Sequence, residues 1–311
     1  MKEKLKNLKK NPWILWIWNE QRRIKGEKNF KKINDEEFVK KFYKNAFGNE
    51  LDLENPVTFN EKLNWLKLNL KNPNATICAD KYEVRKYIEN KGYGYILNDL
   101  LGVYDNVEEI DIDRLPDRFV LKGTHGSGWN LIVKDKNKVN WKPWKLIMKS
   151  WLRQNFYYYG REWVYKDIKP RIICEKFLED SNKELLDYKI YCFNGIPKFI
   201  QIDVDRFTNH TANYYDVEWN ETDFQYSNEN SGRKIEKPKN LKEMLEISKV
   251  LSEEFEHVRV DFYEVDGKLY FGELTFFTAS GTGKFNPEKY DELIGSWLHL
   301  DGINEAIVEG E

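Results

Sequence analysis

The sequence predicts an α+β fold, with helices first and antiparallel hairpins that alternate with helices afterwards. Apolar residues follow helical spacing through most of residues 1 to about 70. From Tyr95 onward the pattern changes to short apolar runs separated by turns, which is typical of strands. Asn194-Gly195 and Asp266-Gly267 each lie between two such runs and predict tight hairpin turns. At 311 residues, the chain is long enough for two or three packed lobes.

Helices account for the first part of the chain. One is predicted in DEEFVKKFYKNAFG, which ends at Gly48. Another is predicted in TFNEKLNWLKLNL, where Thr58 or Asn60 is the N-cap and Glu61 follows in the first turn. A further helix is predicted from Asp80 to Asn90.

An apolar run, WILWIW, extends from Trp13 to Trp18 between the basic stretches LKNLKK and QRRIK. It is far shorter than the roughly 20 residues that cross a bilayer, and it lacks the small-residue cleavage site of a signal peptide. Two interpretations remain. Tryptophan-rich segments usually pack, which favours a helix buried against the protein or a partner. The alternative is peripheral contact with an anionic membrane surface.

Strands are predicted in YILNDLLGVYD, RFVLKG, WNLIVKD and PRIICEKFL, and a helix follows from Pro143 in KPWKLIMKSWLRQNF. A hairpin is predicted in LLDYKIYCFNGIPKFIQIDVDRF. The clearest amphipathic helix lies in NLKEMLEISKVLSEEF. A closing hairpin is predicted in HVRVDFYEVDGKLYFGELTFF.

Composition argues against some classes of function. The chain has 50 basic and 52 acidic residues, a net charge of −2, whereas bulk nucleic-acid binding usually needs a clear basic excess. Cys78, Cys174 and Cys192 form no CxxC pair, and the four histidines show no zinc-site spacing. Reduced cysteines in a cytoplasmic protein are therefore expected rather than a disulfide framework.

Two acidic residues of the closing hairpin, Asp261 and Glu273, lie among apolar and aromatic residues, where a carboxylate is costly unless it is paired or binds a cation. A two-residue turn at Asp266-Gly267 places Asp261 opposite Gly272 and Glu273 on the other face. A three-residue loop places the two acids opposite each other, about 5 Å apart at Cβ, where they repel unless Mg²⁺ lies between them. In the simpler alternative, one acid pairs with Arg259 and the other lies at the solvent edge.

A glycine-rich loop follows a predicted strand in FVLKGTHGSGWN, which extends from Phe119 to Asn130. Lys122 ends the strand with a point charge suited to phosphate, while Gly126 and Gly128 allow backbone N–H groups to approach an anion. The loop is not a Walker A loop, and the chain lacks the protein-kinase motifs. A glycine-rich hairpin turn without phosphate remains the alternative.

Taken in order, the motifs resemble those of the ATP-grasp superfamily, and most closely its TupA-like branch. The similar motifs are DKYEVR, the strand lysine before the glycine loop, ICEKFL, DYK, RVDFY and FGELT. The resemblance extends from KFYKNAFG and NPVTFNEKLNWLKL to the C-terminal GKFNPEKYDELIG. One motif departs from the family: Glu273-Leu274-Thr275 replaces Glu-x-Asn, so a second metal would be held differently.

The resemblance implies an ATP-grasp fold, in which two α+β lobes enclose a nucleotide cleft after a helical N-terminal segment. The implied divisions are an N-terminal region at residues 1–115, a small lobe at 116–178 and a central lobe at 179–311. It also implies ATP and Mg²⁺ as cofactors, and an amide-forming reaction between a carboxylate and an amine through an acyl phosphate.

Site residues follow from the same resemblance. The expected contacts are Lys81, Lys122, His125, Gly126, Ser127 and Gly128 for the phosphates, Glu175, Phe177 and Leu178 for adenine, Asp187 for ribose, and Asp261 and Glu273 for magnesium. Arg259 and Lys122 are the expected catalytic residues, because positive charge steadies a phosphoryl group in transfer. For His125, packing within the loop is the alternative.

TupA-like proteins are associated with cell-surface polysaccharides. The resemblance therefore implies a uronic-acid-containing saccharide and an amino acid or other amine as partners. Arg161, Arg171 and Arg206 are the expected substrate contacts, since a guanidinium suits carboxylates, with surface ion pairing as the alternative. The expected location is the cytoplasm, at the inner face of the membrane if Trp13–Trp18 contacts lipid.

Two rival functions remain. A glycosyltransferase would use Asp203-Val204-Asp205, a DxD motif after an apolar strand, to bind a metal and a nucleotide sugar. That hypothesis leaves Lys122 and the Asp261/Glu273 pair unexplained. The other rival is a non-catalytic module that binds a polysaccharide or a partner protein. Retention of the lysines, the loop and both acids argues against it.

Overall fold

The structure, a computed structural model, describes residues 11–26, 31–181, 185–205 and 210–300. Within these ranges the chain forms two compact units. The first contains residues 76–84, 98–177 and the described part of 1–34, and the second contains 35–75, 85–97 and the described part of 178–311. The expected N-terminal region, 1–115, thus contributes to both units, and the three-part division stays a prediction.

Helices come first along the chain, and antiparallel strands with intervening helices follow, as expected for an α+β fold. The helices are α1 (Pro12–Lys25), α2 (Asp35–Phe47), α3 (Phe59–Asn69), α4 (Pro73–Ala79), α5 (Val84–Asn90), α6 (Trp141–Leu152), α7 (Tyr157–Gly160), α8 (Leu241–Ser252) and α9 (Lys289–Gly295). The strands are β1 (Leu100–Tyr104), β2 (Phe119–Gly123), β3 (Asn130–Val133), β4 (Ile172–Lys176), β5 (Asp187–Phe193), β6 (Ile196–Val204), β7 (Thr211–Asp216), β8 (Gln225–Tyr226), β9 (His257–Val265), β10 (Lys268–Thr275) and β11 (Phe285–Asn286). In the described ranges, no helix is long and apolar enough to cross a membrane.

The N-terminal helices largely follow the predicted signals. Thr58 caps α3 in a capping box with Glu61, as expected. The helix predicted from Asp80 to Asn90 is wrong at its start, because α5 begins at Val84. The Asp80 carboxylate accepts a hydrogen bond from the backbone N–H of Tyr82 at 2.8 Å, which favours a turn over a helix.

The first unit is built on a four-stranded antiparallel sheet in the order β1-β4-β2-β3. One face of the sheet belongs to the hydrophobic core, to which β2 contributes Phe119 and Leu121 and β4 contributes Ile172 and Cys174. Helix α6 also contributes to this core, and α1 packs against α6. Because side chains alternate along a strand, Lys122 of β2 lies on the opposite face.

The second unit is built on a five-stranded antiparallel sheet in the order β10-β9-β5-β6-β7, with α8 packed on β5, β6 and β9. Both predicted hairpins are confirmed. Asn194-Gly195 joins β5 to β6 and Asp266-Gly267 joins β9 to β10, each with positive φ at both turn residues. Strands β8 and β11 form a separate two-stranded pair.

A histidine lies inside the aromatic core of this second unit. The His257 ring packs 5.0 Å from Phe59 and 4.9 Å from Phe193, measured between ring centroids, and its Nδ1 lies 2.9 Å from the Cys192 carbonyl oxygen. Burial lowers the pKa of His257 from 6.5 to about 3. The ring is therefore neutral in the folded protein, and Nδ1 carries the proton that is donated to Cys192.

We expect His257 to make the protein less stable in mild acid. Unfolding lets the ring take up a proton at its ordinary pKa of 6.5, so the stability present above pH 6.5 is lost as the pH falls toward the folded value. Between pH 7 and pH 5, this linkage removes about 2 kcal/mol from the free energy of unfolding. Urea titrations at both pH values measure this change.

The control is His257→Asn, which keeps a donor for the Cys192 carbonyl but does not titrate. Its free energy of unfolding should fall about 2 kcal/mol less than that of the wild type between the two pH values. An equal fall in both proteins would contradict the assignment of a neutral buried ring.

Candidate active site

The glycine-rich loop joins β2 to β3 in the first unit, and packed aromatic rings fix its shape. The Gly123 N–H donates to the Trp129 carbonyl at 2.8 Å and closes the loop at its base. At Gly126, an added Cβ would lie 2.7 Å from the Trp129 ring and 3.0 Å from the Phe156 ring, so only glycine fits. Ser127 and Gly128 are exposed at the tip, where Gly128 has a φ of +74°. The tip therefore presents backbone to solvent, as a phosphate-binding loop requires.

Lys81 lies against this loop although 45 residues separate it from Gly126. Its backbone N–H donates to the Thr124 carbonyl at 3.2 Å, and its Nζ donates to the Gly126 carbonyl at 2.8 Å. The turn at Asp80 makes this possible, because it directs residue 81 out of a helix. The structure thus brings together two of the features expected to contact phosphates.

Lys122 and Glu175 form a second pair of expected nucleotide contacts. The Lys122 Nζ lies 2.6 Å from Glu175 Oε2, and their side chains are 26% and 11% exposed. Val120 and Ile173 share this face of the sheet, because Val120 lies opposite Glu175 and Lys122 opposite Ile173 in the register. Apolar side chains beside a paired cation and anion suit a nucleotide, whose base is flat and whose phosphates are charged.

The expected adenine hinge follows β4. The Arg118 guanidinium stacks on the Phe177 ring at 4.4 Å. The chain then passes from the first unit to the second between Phe177 and Leu178. The hinge and its contact with adenine stay predictions.

His125 is part of the packed base of the loop. It is 1% exposed, and its Nε2 lies 2.9 Å from the Trp151 carbonyl oxygen. Burial lowers the pKa of His125 to about 4, so the ring is neutral at pH 7. This geometry favours the packing alternative over a cationic phosphate contact.

In the second unit, a bulge brings Asp261 and Glu273 together. The turn at Asp266-Gly267 has two residues, which by itself would place Asp261 opposite Gly272. The register shifts between Phe271 and Glu273, and Glu273 becomes the partner of Asp261. The structure therefore combines the turn of one predicted alternative with the facing acids of the other.

Arg259 connects the two acids. Its Nε and Nη2 donate to the two oxygens of Asp261, both at 2.6 Å. The same Nη2 lies 3.4 Å from Glu273 Oε1 and 3.1 Å from the Thr275 hydroxyl. The Glu273 side chain is 33% exposed, whereas that of Asp261 is 3% exposed. The ion pair with Arg259 that the simpler alternative predicted is present, but it includes both acids.

Lys189, the lysine of the DYK motif, is a further cation at this site, and no role was expected for it. Its Nζ pairs with Asp187, lies 3.2 Å from Asp203 and lies 3.5 Å from Asp261. Burial alone would lower the pKa of Lys189, but its acidic neighbours outweigh burial and raise it, so the lysine is charged. The sequence signal for this cation was the two-residue spacing of Asp187 and Lys189, which places both side chains on one face of a buried strand.

These charges form one cluster on a face of the second sheet. Its acids are Asp187, Asp203, Asp261 and Glu273, and its cations are Lys189 and Arg259. Burial raises the pKa of Asp261 to about 6, against the opposing pull of Arg259 and Lys189. A buried carboxyl group with a raised pKa is typical of a functional site. A further cation at this site would stabilise the charged form of Asp261. The ribose contact expected of Asp187 stays a prediction.

Magnesium suits the two facing acids better than a metal that requires three or more protein ligands. No group of three or more His, Cys, Asp or Glu side chains with metal-binding geometry occurs among the residues described. Mg²⁺ is usually bound by one or two carboxylates together with phosphate oxygens and waters. Asp261 and Glu273, adjacent across the bulge, supply such a pair.

The two expected substrate arginines that the structure describes are held by other groups. Arg161 is 2% exposed, donates to the Ile33 carbonyl at 3.0 Å and packs over Tyr157. Arg171 lies 2.8 Å from Glu83 and stacks on Tyr82. Arg206 lies outside the described residues. Contact with an acidic sugar stays a prediction for all three.

The two aspartates of the DxD motif differ in burial and in their described contacts. Asp203 is 6% exposed and lies near Lys189, with His210 at 3.3 Å. Asp205, with a φ of +52°, lies 3.8 Å from Arg233 and has a side chain that is 51% exposed. The two aspartates have different partners, so the geometry does not favour a shared metal ion.

Comparisons with known proteins point to one family. The family model described as TupA-like ATP-grasp matches residues 61–299. A search of curated protein sequences finds no match.

Solved structures similar to the chain are ligases and a synthetase. D-alanine–D-alanine ligase from Bacillus anthracis complexed with ATP is 21% identical, with a TM-score of 0.37 over 64% of this chain and 54% of that one. Phosphoribosylamine–glycine ligase from Thermotoga maritima is 14% identical, with a TM-score of 0.40 over 65% and 48%. An ADP complex of N5-carboxyaminoimidazole ribonucleotide synthetase is 14% identical, with a TM-score of 0.43 over 70% and 50%. The chain spans about half the length of these proteins.

Replacing Gly272 with alanine should disrupt the acid pair. An added Cβ would lie 3.0 Å from the Asp261 carbonyl oxygen and 3.3 Å from the Asp261 Cβ, so β10 must move away from β9. We expect a loss of about 1–3 kcal/mol in the free energy of unfolding, and a larger loss in binding of ATP with Mg²⁺ than of ATP alone. Urea unfolding and titration calorimetry, with and without Mg²⁺, measure these effects.

Gly94→Ala is the matched control in the same unit. The nearest atom to its added Cβ would be Cγ of the flexible Glu89 side chain, at 3.3 Å, and the nearest backbone atom lies at 3.9 Å. This variant should bind ATP with Mg²⁺ as the wild type does. Wild-type magnesium dependence in Gly272→Ala would show that the bulge does not position the metal ligands.

Proposed function

Because the chain belongs to the TupA-like ATP-grasp family, we propose that it is an ATP-dependent carboxylate–amine ligase. ATP-grasp ligases use ATP with Mg²⁺, so the cofactors expected from the sequence are those of the family. The observation that carries the proposal is the placement of Asp261 opposite Glu273 across the bulge, with Arg259 bonded to both. In that arrangement the two carboxylates offer negative charge to a metal ion, and Arg259 offers positive charge to a phosphoryl group in transfer.

The reaction joins a carboxylate to an amine in two steps. The substrate carboxylate attacks the γ-phosphorus of ATP, and ADP leaves with the electron pair of the broken P–O bond. The amine nitrogen then attacks the carbonyl carbon of the acyl phosphate, loses a proton and displaces inorganic phosphate. The products are an amide, ADP and phosphate. No protein nucleophile is needed, since phosphorylation supplies the leaving group.

The first unit supplies groups for the nucleotide. Lys81 and Lys122 carry positive charge to the phosphates, and the exposed tip Ser127-Gly128 supplies backbone N–H groups. Gly126 keeps the tip in shape between the Trp129 and Phe156 rings. Glu175 orients Lys122 through its ion pair. Phe177 and Leu178 are the proposed contacts for adenine.

The second unit supplies the groups for metal and catalysis. Asp261 and Glu273 would hold Mg²⁺, which when bound neutralises phosphate charge during transfer. Arg259 holds the Asp261 carboxylate with two hydrogen bonds and also lies close to Glu273. Its positive charge would stabilise the negative charge of a phosphoryl group in transfer. Lys189 keeps Asp187, Asp203 and Asp261 compatible with one another by balancing their charges.

The carboxylate substrate in this proposal is a uronic acid of a capsular or cell-wall saccharide, and the amine is an amino acid or a related amine. Family membership supports this substrate class. The proposed location is the cytoplasm, where ATP is available and where the three free, buried cysteines would stay reduced. Arg161, Arg171 and Arg206 remain the candidate contacts for the acidic sugar.

The test is release of ADP in the presence of both substrates. The wild type should release ADP only when a uronic acid acceptor and an amine are supplied with ATP and Mg²⁺. Asp261→Asn and Glu273→Gln should each lower the rate by about 100-fold or more, because each removes a charged metal ligand. A coupled ADP assay, with mass spectrometry of the amide product, measures both predictions.

Glu264→Gln is the matched control, since Glu264 lies on the same strand as Asp261 but at a position that points to the other face. It should keep wild-type activity. Unchanged turnover in both metal-ligand variants would overturn the site assignment. Release of UDP from a nucleotide sugar would instead support the glycosyltransferase. Tight glycan binding without turnover would support the non-catalytic module.

A further inference from the structure

One face of helix α1 packs against the hydrophobic core of the first unit. Leu15 and Trp16 pack against the hydrophobic core of that unit. Asn19 is 7% exposed, and Glu20 lies 2.8 Å from Arg153 and 3.0 Å from Arg23. The helix is therefore docked by specific contacts, and its orientation is set.

The opposite face of α1 is apolar and exposed. The exposed helix residues are Trp13, Ile17, Trp18, Gln21, Ile24 and Lys25. At 3.6 residues per turn they fall within a sector of about 140°. The exposed fractions are 38% for Trp13, 49% for Ile17, 44% for Trp18 and 42% for Ile24. These four make up a third of the twelve exposed large hydrophobic side chains of the described chain, and none of the six exposed residues is acidic.

Positive charge is concentrated in the stretch of sequence that contains this helix. Residues 1–32 contain eleven lysines and arginines and three glutamates, a net charge of +8. The whole chain carries −2, so the other 279 residues carry −10. Such an asymmetry marks a basic segment that attracts a negatively charged partner.

We propose that α1 docks the protein on an anionic lipid surface. With 14 residues, the helix is about 21 Å long, too short to span a bilayer but suited to lie in its interface. Trp13, Ile17 and Ile24 enter the boundary between headgroups and acyl chains, where tryptophan is favoured. Lys25 lies near the acidic headgroups.

A lipid surface explains this face better than a second copy of the chain does. Two copies that paired through α1 would bring two segments of charge +8 together, which is unfavourable. Nucleic acid would match the charge but not the aliphatic side chains Ile17 and Ile24. An anionic membrane matches both the charge and the apolar surface.

The experiment is co-sedimentation of the full chain with vesicles. We expect binding to phosphatidylcholine vesicles that contain phosphatidylglycerol, weaker binding to phosphatidylcholine alone, and a decrease as salt is added. The double variant Ile17→Ser/Ile24→Ser should lower the partition coefficient by about tenfold or more. Lys25→Glu should lower it by about fivefold or more on anionic vesicles only.

Ile196→Ser is the matched control, because Ile196 is 52% exposed but lies in the second unit. It should bind vesicles as the wild type does, and thermal unfolding should show all variants folded. Equal binding of the wild type and the double variant would overturn the proposal. So would a concentration-dependent dimer, seen by ultracentrifugation without lipid, that the double variant abolishes. None of these readouts involves ATP, so failure here leaves the proposed ligase untouched.

Discussion

The structure depends most on a set of charges packed on one face of the second sheet. Desolvation penalises each of these groups, and the cluster is tolerated because cations and carboxylates alternate across neighbouring strands. Lys189 on β5 and Arg259 on β9 both lie beside Asp261, so neither cation can be removed without leaving a buried carboxylate unbalanced. The same arrangement makes the site receptive to a divalent cation. Four acids and two basic side chains leave a negative excess that a metal would offset.

The bulge at Gly272 determines which charged side chains of the closing hairpin face each other. Without it, the two-residue turn would leave Glu273 on the face opposite Asp261, and the cluster would lose its most exposed carboxylate. Gly272 approaches the Asp261 carbonyl so closely that a side chain at this position would force the two strands to shift. One backbone irregularity thus decides whether the two acids of the hairpin face each other or lie on opposite faces of the sheet.

In the first unit, aromatic packing determines the shape of the glycine-rich loop. Its base is filled by His125, Trp129 and Phe156, and the neutral histidine adds no charge to the packed interior. Lys81 is tied to the loop by a main-chain and a side-chain hydrogen bond, while Ser127 and Gly128 are left exposed. Aromatic packing at the base therefore leaves the polar backbone at the tip free of crowding by side chains.

The sequence by itself determined the α+β class, the two hairpin turns, the capping box of α3 and the residue types of the site. These signals are local: Asn-Gly and Asp-Gly pairs, capping residues and side-chain alternation act within a few residues of one another. The helix predicted from Asp80 was wrong at its start because the Asp80 side chain competes for the backbone N–H of Tyr82.

Only the tertiary structure decided the register of Glu273, the burial of Arg161 and His125, and the meeting of Lys189 with three aspartates. Each of these depends on contacts between strands or loops that are distant in sequence, which local patterns do not encode.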